Sequence, residues 1–128
     1  MNRVSYFEMP VDDMERATEF YENVFGWKVT KQERAGGPYY SVNTGSKEEP
    51  GINGSFFQKT EGWTTISNVI NVKDIDWAIA KIQELGGQIV FAKCVINGVG
   101  YLAYFKDPDG NVFGMMQEDS NVHEEGGM

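Results

Sequence analysis

The residue types that build disulfides and metal sites are almost absent from this sequence. One cysteine and one histidine occur among the 128 residues. Cys94 alone cannot form an internal disulfide, which favours a reducing, cytoplasmic environment. The histidine, His123, lies in a polar stretch after the last predicted strand. Because sites for divalent metals need several converging donors, we expect neither a resident metal nor another cofactor.

Basic residues and long apolar runs are also scarce. Eleven Lys and Arg residues against 19 Asp and Glu residues give a net charge of −8. Nucleic acids and anionic membrane surfaces are bound through clustered cations, so neither is an expected partner. No apolar run approaches the ~20 residues that cross a bilayer. The N-terminal stretch "MNRVSYFEMPV" contains no h-region typical of a signal peptide.

The sequence does contain enough apolar material for a core. Hydrophobic residues make up 41% and aromatic residues 13% of the chain, a composition typical of a folded globule. We expect one domain over residues 1–118, followed by a polar, flexible tail over residues 119–128.

One segment of the chain occurs twice. The stretch "VDDMERATEFYENVFGW" has the same order of features as "VKDIDWAIAKIQELGGQ". Each has a valine, an aspartate suited to cap a helix, an apolar stripe at helical spacing and a glycine near its end. Three strand-like runs follow each copy, separated by turn signals such as "DPDGN", where Gly110 is suited to positive φ. The paired positions are Val11 and Val72, Asp13 and Asp74, and Gly26 and Gly87.

The duplication predicts an α+β protein built from tandem βαβββ modules. Module one covers about residues 3–58 and module two about residues 64–118. A single curled four-stranded sheet with one helix leaves its concave face open, whereas two modules can share a core. We therefore predict that the modules form a curved mixed sheet around one cup.

Two motifs resemble those of the vicinal oxygen chelate superfamily, which includes glyoxalase I, extradiol dioxygenases and bleomycin-resistance proteins. The stretch "VDDMERATEFYENVFGW" matches the superfamily pattern D-x6-F-Y-x4-G, and "YFKDPDGNVFGMMQ" matches D-P-D-G-N. The resemblance covers roughly residues 3–118 and is greatest to the glyoxalase-related predicted-enzyme branch. It implies the cup-shaped fold, a small-molecule ligand and a homodimer.

Enzymes of this superfamily hold a divalent metal with four side chains, mostly His or Glu, from the first and last strands of each module. Transferred to this sequence, the first-strand places fall on Tyr6 and Ser67, and the last-strand place of module two falls on Gly114. The fourth place lies within "INGSFFQ", which contains no His, Asp or Glu. The resemblance therefore implies the fold without the metal, and it argues against a metal-dependent glyoxalase reaction.

Glu8 is the acid that lies well inside a predicted core strand. It shares a strand face with Tyr6, because side chains alternate along a strand. There it can bind a cationic or hydrogen-bond-donating ligand, or act as a general base. The structural alternative is that Glu8 accepts hydrogen bonds from neighbouring strands or pairs with a Lys or Arg, as buried acids usually do.

The other candidates for a ligand pocket are aromatic or small polar residues. Phenol rings can contact flat organic ligands, and hydroxyl or amide groups can orient them. Each such residue is equally compatible with ordinary strand or turn packing. The predicted pocket set is Tyr6, Glu8, Tyr40, Asn53, Ser55, Ser67, Tyr104 and Gly114.

Two functions of different class fit these residues. The first is metal-independent binding of a small organic molecule in the cup. The second is a metal-independent lyase or isomerase that uses Glu8 as its general base. A third possibility is a structural or partner-binding dimer. A cup with one acid and no matched cation favours neutral or positively charged ligands.

Overall fold

The computed structural model of the chain describes residues 1–33 and 38–122. These residues form two compact units that divide between Ser67 and Asn68, and Met1–Val4 belong with the second unit. The described residues contain eight strands and two helices in the order βαβββ–βαβββ. The predicted α+β class and its repeat are therefore confirmed, whereas the cup stays a prediction. His123 and the end of the predicted tail lie outside the described residues.

Module one is a four-stranded mixed sheet with one helix. β1 pairs with β4 in parallel, and β4–β3 and β3–β2 pair antiparallel. Helix α1 packs on one face, where Tyr40, Val42 and Phe56 are buried. The elements are β1 (Arg3–Val11), α1 (Met14–Phe25), β2 (Lys28–Gln32), β3 (Tyr39–Asn43) and β4 (Asn53–Gln58).

Module two repeats this pairing. β5 pairs with β8 in parallel, and β8–β7 and β7–β6 pair antiparallel. Helix α2 packs on a cluster in which Ile75, Ala103 and Met115 are buried. The elements are β5 (Ser67–Asn71), α2 (Ile75–Glu84), β6 (Gln88–Ile96), β7 (Gly100–Lys106) and β8 (Val112–Glu118).

Both helices begin at the predicted aspartates. The carboxylate of Asp13 accepts a hydrogen bond from the N–H of Arg16 at 3.0 Å, and that of Asp74 accepts one from the N–H of Trp77 at 3.0 Å. Each bond satisfies one of the N–H groups that a first helical turn leaves unpaired. Among the described residues, neither helix is long and apolar enough to cross a membrane.

The two helices end differently. Gly26 ends α1 in the left-handed conformation, with φ 71°, as predicted. After α2 the left-handed residue is Gly86, with φ 94°, one position before Gly87, which is the repeat partner of Gly26. Gly87 is needed for a different reason, because a Cβ there would lie 2.6 Å from Cγ2 of Ile82. The repeat therefore shifts by one residue at this point.

The turn between β7 and β8 forms as "DPDGN" predicts. The N–H of Gly110 donates to the carbonyl oxygen of Asp107 at 2.9 Å, and Gly110 has φ 92°. The Asp107 carboxylate accepts from the side-chain amide of Asn111 at 3.0 Å and from the N–H groups of Asp109 and Asn111 at 2.9 Å. These bonds, the Asn111 side chain first, hold the pKa of Asp107 below its ordinary value.

Candidate functional site

Each sheet has one face that its own helix covers and an opposite face, which we call the distal face. In module one, Met9 and Phe56 pack toward α1, so their strand neighbours Glu8 and Ser55 lie on the distal face. Strand pairing aligns one distal residue from every strand into a polar row. The row consists of Glu8, Ser55, Ser41 and Thr30, in the spatial order of their strands.

The polar row is buried at its inner end and hydrogen-bonded at its outer end. Glu8 and Ser55 are each 7% exposed. The hydroxyl of Ser41 donates to the carbonyl oxygen of Thr30 at 3.3 Å and accepts from Nε2 of Gln32 at 3.1 Å. One carboxylate followed by three hydroxyls makes a surface that can accept hydrogen bonds and bind a positive group.

Two other predicted pocket residues lie beside this row. Tyr6 is on the same face of β1 as Glu8, and strand pairing places it next to Asn53 of β4. The Asn53 amide oxygen accepts from the N–H of Thr44 at 2.8 Å, which closes the loop before β4. Tyr6, Glu8 and Ser55 thus share the predicted face, whereas this contact gives Asn53 a structural role in the loop.

Tyr40 does not lie on the distal face, and its assignment to one surface with Tyr6 and Glu8 is wrong. Its ring belongs to the cluster under α1 and is 8% exposed. Its hydroxyl donates to Oε1 of Glu15 at 2.7 Å. That bond, together with burial and the negative charge of Glu15, raises the pKa of Tyr40. Tyr40 therefore ties α1 to β3 from the covered face.

Module two has an apolar row in the same register. The residue of β5 that corresponds to Glu8 is Val69, 61 positions later, and it is 0% exposed. Strand pairing continues from Val69 through β8 and β7 to β6. The apolar row consists of Val69, Gly114, Tyr104 and Phe91.

The centre of the apolar row is a glycine under an aromatic ring. A Cβ at residue 114 would lie 2.8 Å from Cε2 of Tyr104 and 3.2 Å from Cγ2 of Val69. The Phe91 ring meets Tyr104 edge-on, with ring centroids 5.9 Å apart, a favourable geometry for aromatic pairs. Tyr104 thus occupies the space into which a side chain at position 114 would project.

The register also gives the position of the fourth metal-ligand place that the family resemblance implies. Gly114 pairs with Val69 as Ser55 pairs with Glu8, so the module-one counterpart of Gly114 is Ser55. The four places therefore hold a phenol, two aliphatic hydroxyls and no side chain, at Tyr6, Ser55, Ser67 and Gly114. Neutral hydroxyls are poor ligands for the divalent metals that proteins retain. This donor set does not fit such a metal.

In residues 1–33 and 38–122, no group of three or more His, Cys, Asp or Glu side chains converges. Ser67 begins β5 and is 3% exposed, but it has no imidazole or carboxylate beside it on that strand.

Ser41, Thr30 and Phe91 belong to the rows but are absent from the predicted pocket set. The apolar residue Val42 marks the covered face of β3, and alternation from it assigns Ser41 to the distal face. That signal was present in the sequence. The position of Phe91 was not predictable, because the pairing of β6 with β7 shifts register on both sides of Phe91.

Comparison with solved structures gives the same fold. Methylmalonyl-CoA epimerase from Mycobacterium tuberculosis matches at 12% identity and a TM-score of 0.68, over 90% of this chain and 87% of that chain. The Streptomyces coelicolor enzyme in complex with 2-nitronate-propionyl-CoA matches at 12% identity and a TM-score of 0.70, over 97% and 99%. A third methylmalonyl-CoA epimerase matches at 16% identity and a TM-score of 0.63, over 91% and 94%.

A family model completes the comparison. The model described as the Glyoxalase/Bleomycin resistance protein/Dioxygenase superfamily matches residues 3–115. That range includes both βαβββ modules nearly in full. The chain therefore belongs to the glyoxalase/bleomycin resistance protein/dioxygenase superfamily.

Proposed function

We propose that this chain binds a small organic molecule without a metal and that Glu8 is the polar anchor for the ligand. The observation that carries the proposal is the polar row, in which a buried carboxylate lies beside Ser55 on the next strand and Ser55 lies beside Ser41 on the strand after it. A carboxylate accepts hydrogen bonds from ammonium, amide or hydroxyl donors, and these bonds are strong when the acceptor is charged. The ligand chemistry is therefore cationic or donor-bearing.

The donor set at the inherited metal places supports a metal-independent function. Tyr6 and Ser55 can hydrogen-bond a ligand, although neither fits a metal ion. Tyr104, which lies in the apolar row with Val69 and Phe91, can contact a flat ligand through its aromatic ring. A homodimer located in the cytoplasm is part of the proposal, as is a predicted cup that holds the ligand.

A matched pair of probes tests the role of Glu8. 1-Naphthylmethylammonium carries a cation, and 1-naphthylmethanol has the same ring with a neutral donor. We expect Glu8→Gln to weaken binding of the ammonium probe about 5- to 150-fold and to change binding of the alcohol less, because the variant removes only the charge. Equal affinities of wild type and Glu8→Gln for the ammonium probe would remove Glu8 from the proposal.

Native mass spectrometry of gently purified protein tests the binding function itself. A retained organic molecule at one per subunit supports the proposal, and the same spectrum reports the subunit number. A divalent metal at stoichiometric occupancy contradicts the metal-independent function.

The alternative function is a metal-independent lyase or isomerase with Glu8 as general base. The observation that favours it is the likeness in fold to enzymes that epimerise methylmalonyl-CoA. The module-two counterpart of Glu8 is Val69, which cannot carry a proton. A mechanism that uses two bases, one from this position in each module, is therefore disfavoured. Proton transfer by Glu8 alone fits the residues better.

Deuterium exchange distinguishes the alternative from pure binding. With methylmalonyl-CoA in D2O, a one-base enzyme incorporates deuterium at the acidic carbon, and the rate falls at low pH as the base is protonated. Glu8→Gln should abolish this exchange. Exchange that persists in Glu8→Gln contradicts the assignment of the base, and the absence of exchange in wild type favours binding without turnover on this substrate.

A further inference from the structure

The apolar stripe of α1 extends beyond the face that packs on the sheet. Ala17 and Tyr21 contact the buried cluster of module one, whereas Phe20 and Val24 are each 54% exposed. Phe20 and Val24 are four positions apart, so their side chains are neighbours on the helix surface. Apolar side chains that lie together in solvent within a polar rim are typical of surfaces that bind another molecule.

Two depressions adjoin these exposed residues, and we call the whole surface the α1 flank. Arg16 and Phe20 line both depressions and therefore form the boundary between them. The smaller depression has a volume of about 260 Å³, which leaves room for an aliphatic side chain. Its apolar wall consists of Val11, Ala17 and Tyr21, and the larger depression is completed by Glu19, Asn23 and Val24.

The rim of the α1 flank is acidic. The guanidinium of Arg16 is the one positive group that lines the depressions, against four carboxylates. Within residues 1–33 and 38–122, Asp12 pairs with Lys59 at 3.4 Å, and the other three carboxylates pair with no Lys or Arg. The four acids are Asp12, Asp13, Glu15 and Glu19. The α1 flank therefore has an excess of negative charge that a basic partner can contact.

The exposed side of α2 is different. Trp77 is 63% exposed, but Nζ of Lys81 lies 5.9 Å from the centroid of its ring. The carboxylates of Asp76 and Glu84 pair with Lys93 and Lys81 at 3.0 and 3.1 Å. Cations of module two thus neutralise these acids, so the combination of exposed apolar side chains and unpaired carboxylates belongs to α1.

We propose that the α1 flank binds a basic amphipathic helix of a partner protein. Apolar side chains of that helix occupy the depressions on either side of Phe20, and its Lys or Arg residues face the acidic rim. A second copy of this chain is a poor match, because in a two-fold dimer the same acidic surface faces itself. An anionic membrane is repelled by the same charge. The surface belongs to module one alone and does not depend on a ligand at Glu8.

Two synthetic peptides test the class of partner by fluorescence anisotropy. Each forms about four helical turns with leucine on one face, and the opposite face carries Lys in one peptide and Glu in the other. Wild type should bind the Leu/Lys peptide at least about 10-fold more tightly at low salt, and added salt should reduce the difference. Equal binding of the two peptides, or no binding of the Leu/Lys peptide, would overturn the proposal.

Serine substitutions locate the bound peptide. The double variant Phe20→Ser/Val24→Ser should weaken binding of the Leu/Lys peptide about 10-fold or more. Trp77→Ser removes an exposed aromatic residue from α2 and should leave the affinity unchanged. Unchanged affinity in the double variant, or an equal loss in Trp77→Ser, would mean that the peptide binds elsewhere.

Glu19→Lys tests the acidic rim without changing an apolar residue. Because Glu19 is exposed, the variant should fold, and binding of the Leu/Lys peptide should weaken about 3- to 10-fold. Glu48→Lys makes the same change of net charge on the exposed loop between β3 and β4 and should weaken binding less. Equal losses would show that net charge, and not the α1 flank, attracts the peptide.

Sedimentation distinguishes a partner protein from a second copy of the chain. Phe20→Ser should have the same subunit number as wild type. A wild-type dimer that dissociates in Phe20→Ser would show that a second copy covers the α1 flank, and it would overturn the proposal.

Discussion

The central rows on the distal faces of the two modules have the same backbone register and opposite chemistry. In module one the central row begins with the carboxylate of Glu8 and continues through hydroxyls. In module two the same row begins with Val69 and continues through Gly114 to two aromatic rings. Backbone pairing sets which residues lie side by side, and it leaves the side chains on the distal face open to change. One fold unit can thus supply a polar surface in one copy and an apolar surface in the other.

The modules also differ at the two last-strand places that the family resemblance assigns to metal ligands. Ser55 retains a small polar group at its inherited ligand place, next to Glu8. Gly114 has no side chain, and the ring of Tyr104 fills the space above it. Restoring a donor in module one changes one side chain, whereas restoring one in module two displaces an aromatic ring.

The largest expected effect comes from moving the carboxylate between modules. Val69→Glu buries a charge among apolar side chains at a position that is 0% exposed, which should lower the free energy of unfolding by about 3 to 5 kcal/mol. Glu8→Val should cost less, because it removes a charge from a buried position instead of adding one. Urea unfolding of both variants measures the difference.

Val69→Leu is the control for side-chain size at the same position. It keeps the site apolar and should cost less than Val69→Glu. If Val69→Glu unfolds at the same urea midpoint as wild type, the polar row and the apolar row accommodate a carboxylate equally well. That result would contradict the chemical difference between the two rows.

A smaller effect is expected from exchanging the residues at the two last-strand ligand places. Gly114→Ser introduces a Cβ 2.8 Å from Cε2 of Tyr104, and such overpacking costs about 1 to 3 kcal/mol. Ser55→Gly should cost only about 0.5 to 1 kcal/mol, the usual effect of glycine in a strand. Differential scanning calorimetry of both variants tests the ranking.

The substitution Tyr104→Leu tests whether the Tyr104 ring causes the loss of stability in Gly114→Ser. If the ring is the obstacle, Gly114→Ser should cost less in the Tyr104→Leu background than in wild type, and a double-mutant cycle measures this coupling. If the losses of stability from the two substitutions simply add, the Tyr104 ring is not the reason that position 114 requires glycine.

The elements of the fold were predictable from sequence, because local signals specify them. Asp13 and Asp74 cap their helices as the spacing indicates, and Gly110 takes positive φ in its turn. The face of β1 was also predictable, since Glu8 alternates with the apolar residues Phe7 and Met9. These features depend on residues within a few positions of one another.

The candidate site was predictable only in part, because it depends on pairing between distant strands. Tyr40 was included in the predicted pocket set, although it alternates in phase with Val42, which packs under α1. The fourth ligand place could not be located within "INGSFFQ" until the pairing of Glu8 with Ser55 was known.

The smallest expected effect concerns the loops that precede the last strand of each module. Module two closes this turn with the Asp107 carboxylate, whose pKa lies below its ordinary value of 3.8 because Asn111 donates to it. In module one the loop joins β4 through the neutral amide oxygen of Asn53, which accepts from the N–H of Thr44 at 2.8 Å, while the Glu49 carboxylate accepts from the N–H of Ser46 within the loop at 3.3 Å. The Asp107 contact therefore involves a titrating group, whereas the Asn53 contact does not.

The sign of the pH effect follows from the direction of the pKa shift. The folded state holds the Asp107 proton less tightly than the unfolded state, so the ionised carboxylate stabilises the fold above about pH 4, and this contribution is lost as pH falls through the lowered pKa. The free energy of unfolding of Asp107→Asn should lie below that of wild type at pH 5, and this difference should shrink towards about pH 3 in urea titrations. The deficit of Asn53→Ala should stay constant over the same range. If the losses of stability in Asp107→Asn and Asn53→Ala depend on pH in the same way, the two contacts do not differ electrostatically. The contrast between the modules would then be confined to their distal faces.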